Sequence, residues 1–290
     1  MPIKNMKYDN TGYGPILETL ENELSPYIKF SEQAYRYYIE GLSSKAHLLR
    51  KKDYKTFNLL LSNAKNASFS IRLLSTWGQP IEGYALLRIR LEQLIISSYL
   101  IHEESEKGIN AFKKYEPIIE YDLLKANATN YNLKMALSSL FPNSNLDYEK
   151  RMSELREKIE DTYEIKNEKF QRKWTTLPIN KLAEQRDKLV NVDDRISNVK
   201  LLDFYNTIYK ISSSIIHSDV ASISSNFIKT SNDSIITPQE LYVFTNIIML
   251  SQFDMIQCYE TSKKFQLNIE DKYLKLYDKY LIKIKGDFEI

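Results

Sequence analysis

Between Ile81 and His102 the chain carries Leu86, Leu87, Ile89, Leu91, Leu94, Ile95, Ile96, Tyr99, Leu100 and Ile101, which place apolar side chains around the whole circumference of a helix. Arg88, Arg90 and Glu92 interrupt the run, and charge breaks it well short of a membrane span. A helix apolar on every side lies in the middle of a domain. The flanking sequence supplies its walls. Leu17, Leu20, Leu24, Tyr27/Ile28, Ala34, Tyr37/Tyr38 and Leu42 recur at three and four, and so do Phe57, Leu60/Leu61, Ala64, Ala67/Ser68, Ile71 and Leu74. Pro26 is expected to split or kink the first stretch, since it lacks an N–H and opposes helical geometry at Ser25. Gly78 and Pro80 end the second.

Asn198 to Ile216, with Leu201, Phe204/Tyr205, Ile208, Ile211/Ser212 and Ile215, reads as a second buried helix, expected beside the first at the centre. Pro178 to Ala183 reads as a short helix, and Asp147 to Arg172 as a charged one whose thin apolar stripe suits an arm. Ser218 to Thr237 is a polar loop candidate; Thr237-Pro238-Gln239-Glu240 then combines an N-cap with proline at the first helical position, opening a helix to near Phe265. Ile269 to Lys285 supplies the last. Seven glycines and eight prolines in 290 residues are roughly 5% of the chain where about 12% is ordinary, which disfavours sandwiches, barrels and propellers. The expected fold is all-α: a multi-helix bundle with two central buried helices and a charged helical arm. Its expected regions are an N-terminal helical one (1–55), a central helical domain (56–222, with the arm near 147–172) and a C-terminal helical pair (223–290).

Forty basic against 38 acidic residues is far from the footprint of a dedicated duplex-DNA binder. A single cysteine, Cys258, excludes an intramolecular disulfide framework and cysteine-based zinc or iron–sulfur centres, and three scattered histidines give no metal-ligand spacing. No metal or other cofactor is expected. Met1-Pro2-Ile3-Lys4 lacks the apolar run of a secretory leader, so the expectation is a cytoplasmic protein without a membrane partner. The 21 tyrosines suit an interface, hence the expectation of a homo-oligomer, although an A-T-rich genome would yield the same composition.

Two places carry chemistry. Arg88 and Glu92, four apart, share one helix face; they form either a buried pair that sets register or, with Arg90, an anion-holding site in which Glu92 orients Arg88. His217 ends its helix with Asn206, Lys210, Ser213 and Ser214 on the same side. It is either a histidine favoured by the helix dipole or a general acid or base titrating near neutrality. The His102-Glu103-Glu104 cluster reads as a solvated helix end, and Thr11-Gly12-Tyr13-Gly14-Pro15 as a turn.

Arg88-Ile89-Arg90-Leu91-Glu92, Lys173-Trp174 leading into Ile179-Asn180-Lys181-Leu182-Ala183, and Tyr209 with Ser213 before His217-Ser218 together resemble a widespread bacterial family of all-helical proteins known as a domain of unknown function. The resemblance runs from about Phe57 to Ser222 and singles out Arg88, Glu92, Trp174, Tyr209 and His217. More distantly the chain is similar to HEPN domains, in which an Arg, four to six residues and a His form the active site of metal-independent ribonucleases of toxin and antiphage systems. Here Lys210 stands where that pattern has Arg, and a point charge does not reproduce the planar guanidinium fork. The resemblance implies a defence or toxin-type effector acting on RNA, with His217, Lys210, Arg88 and Glu92 catalytic and Arg90, Tyr209, Ser213 and Ser214 binding substrate. The alternative is a non-enzymatic binding, sensor or scaffold module with a defence-operon partner.

Overall fold

The computed structural model describes residues 18–45, 52–77, 79–103, 107–129, 148–160, 174–212, 228–229, 235–236 and 238–288. Their helices are α1 (Glu18–Ser43), α2 (Lys52–Thr76), α3 (Pro80–His102), α4 (Lys107–Thr129), α5 (Tyr148–Glu160), α6 (Ile179–Leu189), α7 (Leu201–Phe204), α8 (Pro238–Lys264) and α9 (Glu270–Phe288). The fold is all-α; its one β feature among these residues is a two-residue antiparallel pair, Ile228 opposite Ile236 and Lys229 opposite Ile235. By contacts the chain forms two units, residues 105–178 and the remainder.

Within the larger unit, α8 packs on α1, α2 and α3, while α6 packs on α3 and α9 on α1 and α8. Proline fixes the start of α3, supplying φ at the first helical turn where no N–H partner is needed. Leu87, Leu91, Leu94 and Ile95 of α3 are fully buried, as the run around its circumference requires. Helix α8 goes further: Val243, Ile247 and Phe253 are buried, and so are Ser251, Asp254, Gln257, Glu260, Thr261 and Ser262. Several of these polar groups satisfy themselves along the helix, Thr261 donating to the Gln257 carbonyl and Ser262 to that of Cys258. Tyr273 and Tyr280 join the core through bonded hydroxyls, donating across to the Ala34 and Ile248 carbonyls respectively.

Three features differ from the periodicity reading. Pro26 lies inside an unbroken α1, whose Leu24, Tyr27 and Ala34 are buried; tertiary packing overrides the local penalty. Helix α4 was not anticipated, because Pro117 stands in its middle and hides the spacing of Ile109, Ile118 and Leu124. The turn from α8 to α9 ends in a Schellman arrangement without glycine. The Leu267 N–H reaches the Ser262 carbonyl and the Gln266 N–H that of Lys263, with Gln266 at φ 52°.

In the smaller unit α4 and α5 pack together, with Arg151 donating to Glu120 at 2.7–2.9 Å. Phe112 meets Trp174 edge-on, ring centroids 5.5 Å apart. The expected arm is thus a helix paired with α4 over Tyr148–Glu160; its continuation to Arg172 lies outside the described residues.

Candidate functional site

Helix α7 passes at Tyr205–Tyr209 into a π-helical turn, which packs against α3. A π-turn widens the helix and brings side chains four apart nearly above one another, and the rings of Tyr205 and Tyr209 stack with centroids 4.4 Å apart. Arg88 comes to this platform from α3. Its Nη2 donates to the Tyr209 hydroxyl at 2.7 Å, its guanidinium carbon stands 3.8 Å from the Tyr209 ring centroid, and its Nε donates to Glu92 Oε1 at 3.2 Å. With side chains 23% and 33% exposed, Arg88 and Glu92 lie at the surface of the core rather than inside it. Burial first, then the neighbouring Tyr209 and Glu92, push the Tyr205 hydroxyl up to about 12 against the pull of Arg88, so Tyr205 is a neutral donor at physiological pH. The platform thus offers a planar cation, a carboxylate and two phenols on one face.

Lys210 follows Tyr209 directly and is exposed. Ser213, Ser214 and His217 lie outside the described residues.

Arg90 requires a correction. Two residues from Arg88, and therefore on the opposite side of α3, it is 0% exposed and holds no position from which to bind substrate beside Arg88. Its Nη2 donates to Asp254 Oδ1 at 2.9 Å and its Nε to Ser68 Oγ at 3.1 Å. Asp254 also accepts from Ser31 at 2.5 Å, Tyr35 at 3.0 Å and Ser68 at 2.8 Å, so the ionised pair sits in a nest of donors.

A second buried pair repeats the device six residues along α8. Arg186, also 0% exposed, donates through Nη2 to Glu260 Oε1 at 2.6 Å, through Nε to Ser98 and through Nη1 to the Val199 carbonyl. His102 Nε2 lies 3.1 Å from the same Glu260 oxygen. Burial raises the Glu260 carboxyl, but Arg186, His102 and Ser98 outweigh it and bring it down to about 2. Asp187 next door receives the Leu201 and Leu202 N–H groups, capping α7 and holding the start of the segment that carries the tyrosine platform. His102 is thus not a solvated end but part of this network.

Neither buried pair was visible in the sequence reading, because each partner lies far along the chain: Asp254 is 164 residues from Arg90. The available signal was a run of polar residues, Ser251, Asp254, Gln257 and Glu260, spaced at three along a helix too apolar elsewhere to be a surface one. Cys258 is free and buried. Among the described residues no helix is long and apolar enough to cross a membrane, and no group of three or more His, Cys, Asp or Glu side chains is placed to hold a metal ion.

No curated protein and no solved structure matches the chain. A family model does, across residues 54–235, a span that takes in Arg88, Glu92, the tyrosine platform and His217. On that match, which covers more than half of its length, the chain belongs to the family of unknown function DUF5677.

Proposed function

We propose that this protein is a defence or toxin-type effector of bacteria that cleaves RNA without a metal, in the manner of HEPN ribonucleases. One observation carries the reading: Arg88 reaches across from α3 to Tyr209, the residue before Lys210 and eight before His217. The planar fork that Lys210 does not offer is therefore supplied by the neighbouring helix. In this mechanism His217 accepts the proton of the 2′-hydroxyl as the O2′–P bond forms and the P–O5′ bond breaks; the departing 5′-oxygen takes its proton from solvent. Arg88 and Lys210 stabilise charge on the phosphoryl oxygens, and Glu92 orients Arg88. The products are a 2′,3′-cyclic phosphate and a 5′-hydroxyl.

Incubation of the purified chain with end-labelled RNA in the presence of EDTA tests this. Cleavage is expected, reduced about 10²–10⁴-fold in His217→Ala and about 10²–10³-fold in Arg88→Ala, with circular dichroism unchanged. Intact RNA with the wild type, in the tube and in an induced bacterial host, overturns it.

A second reading is a non-enzymatic binding or scaffold module. It is favoured by the exposure of Phe69 and Leu73 on α2 and of Trp77 just past its end, at successive four-residue steps, an apolar ridge suited to a partner. In that case any phage-resistance phenotype survives His217→Ala.

A further inference from the structure

On the side of α3 away from the tyrosine platform, α1, α2 and α8 converge on a groove of about 500 Å³, within the range of small-molecule sites. It exists because small residues occupy positions where a bundle core ordinarily carries large ones: Ser31 on α1, Ser68 on α2 and Ser251 on α8. Asp254 lies at the bottom, its charge matched by Arg90 and its oxygens occupied by Ser31, Tyr35 and Ser68. The floor is therefore neutral overall, and its serine hydroxyl oxygens keep lone pairs for a donor from above.

The rim is not neutral. Arg72 is paired with Glu32 at 3.0 Å, but Arg36 and Lys65 have no carboxylate partner among the described residues. Lys65 Nζ instead stands 5.6 Å from the centre of the Tyr35 ring, and Arg72 the same distance from that of Phe69. Cations held over aromatic rings at the mouth of a groove with apolar walls, Ile39 and Leu250 among them, suit a ligand with a flat apolar body and a strong anion. Two unmatched positive charges correspond to the nearly −2 of a phosphate monoester rather than to a single carboxylate.

We propose that this groove binds a phosphate monoester carrying an aromatic body, of the nucleoside monophosphate class. The phosphate meets Arg36 and Lys65, the ring lies against Phe69 and the aliphatic wall, and the hydroxyl or amino donors of the ligand face Ser31 and Ser68. The site is independent of RNA cleavage at the Arg88 platform, and its test does not use that activity.

The test is calorimetric titration of the full chain with AMP and UMP, alongside inorganic phosphate, adenosine and octanoate. Saturable binding of at least one nucleotide is expected, at least tenfold tighter than either phosphate or adenosine alone. Arg36→Ala and Lys65→Ala should each weaken it at least tenfold with an unchanged melting temperature, whereas Arg195→Ala, a cation elsewhere on the surface, should leave it intact. No nucleotide binding at millimolar concentration overturns the proposal. So does binding that survives both rim substitutions, and so does octanoate binding in place of the nucleotides.

Discussion

Replacing Arg90 by Met keeps the length and most of the volume of the side chain but removes its charge, leaving Asp254 buried without a cation. Breaking a buried pair from one side costs about 3–5 kcal/mol. Asp254 still accepts from Ser31, Tyr35 and Ser68, so the low end, about 3 kcal/mol, is expected. For a chain of this size that is a fall of roughly 6–12 °C in Tm. The exposed pair Arg195–Asp278, with side chains 57% and 46% exposed, is the internal reference. Arg195→Ala should cost under about 1 kcal/mol. A second arm uses Asp254→Asn, which preserves an acceptor for the three hydroxyls while stranding the Arg90 charge. The double variant Arg90→Met/Asp254→Asn removes both charges and should cost at least about 2 kcal/mol less than the sum of the single changes. Urea unfolding followed by far-ultraviolet circular dichroism measures all four. An Arg90→Met loss no larger than that of Arg195→Ala, or additive single and double variants, would refute the idea of two mutually dependent buried charges.

Two further expectations concern close packing and acid. A Cβ at Gly83 would stand 2.8 Å from Ser75 Oγ, 2.9 Å from Asn246 Nδ2 and 3.2 Å from the Ile71 carbonyl oxygen, whereas at Gly286 it meets nothing within 4 Å. Gly83→Ala should therefore cost about 1–3 kcal/mol by overpacking, and Gly286→Ala should add about 0.5–1 kcal/mol by helix propensity. Thermal melts with the same sign for both would contradict this. Glu260, lowered from 4.5 to about 2 in the fold, contributes its stability fully above the unfolded value and loses it as pH falls from about 4.5 towards 2. The loss is about 3 kcal/mol. Urea midpoints between pH 6 and pH 2 should fall more steeply for the wild type than for Glu260→Gln, and parallel curves would count against it.

The helices most legible in the sequence were those whose signals are local. Helix α3 declared itself by apolar residues on every side, and α8 by the Thr237-Pro238-Gln239-Glu240 start. Apposition of α3 to the segment after Leu201 was also expected and holds for its described part. Only Leu201, Ile208 and Ser212 are buried there, while Asn206, Thr207, Lys210 and Ile211 are exposed, so the second buried helix beside α3 is α8. Choosing between Arg88 and Arg90 was beyond local reasoning. Arg88 has a visible partner four residues away and lies at the surface; Arg90 has none nearby and is buried. The π-turn was hidden as well, since a pattern read at 3.6 residues per turn has no means of marking one wider turn. The groove escaped for a third reason: Ser31, Ser68 and Ser251 look like ordinary helix residues until three helices bring them together.

Both buried arginines find a fully buried carboxylate on α8, and this bears on where the protein can be cut. The family span, residues 54–235, contains Arg90 and Arg186 but stops before Asp254 and Glu260. A fragment trimmed to that span would retain two guanidinium groups shaped for dry surroundings and discard Asp254 and Glu260, along with the helix that encloses them. Arg90 would be left without a counter-charge and Arg186 with Asp187 alone, 3.1 Å away. Expression of the matched region by itself should consequently yield insoluble or unfolded material, and the smallest workable excision of the larger unit has to run through α8.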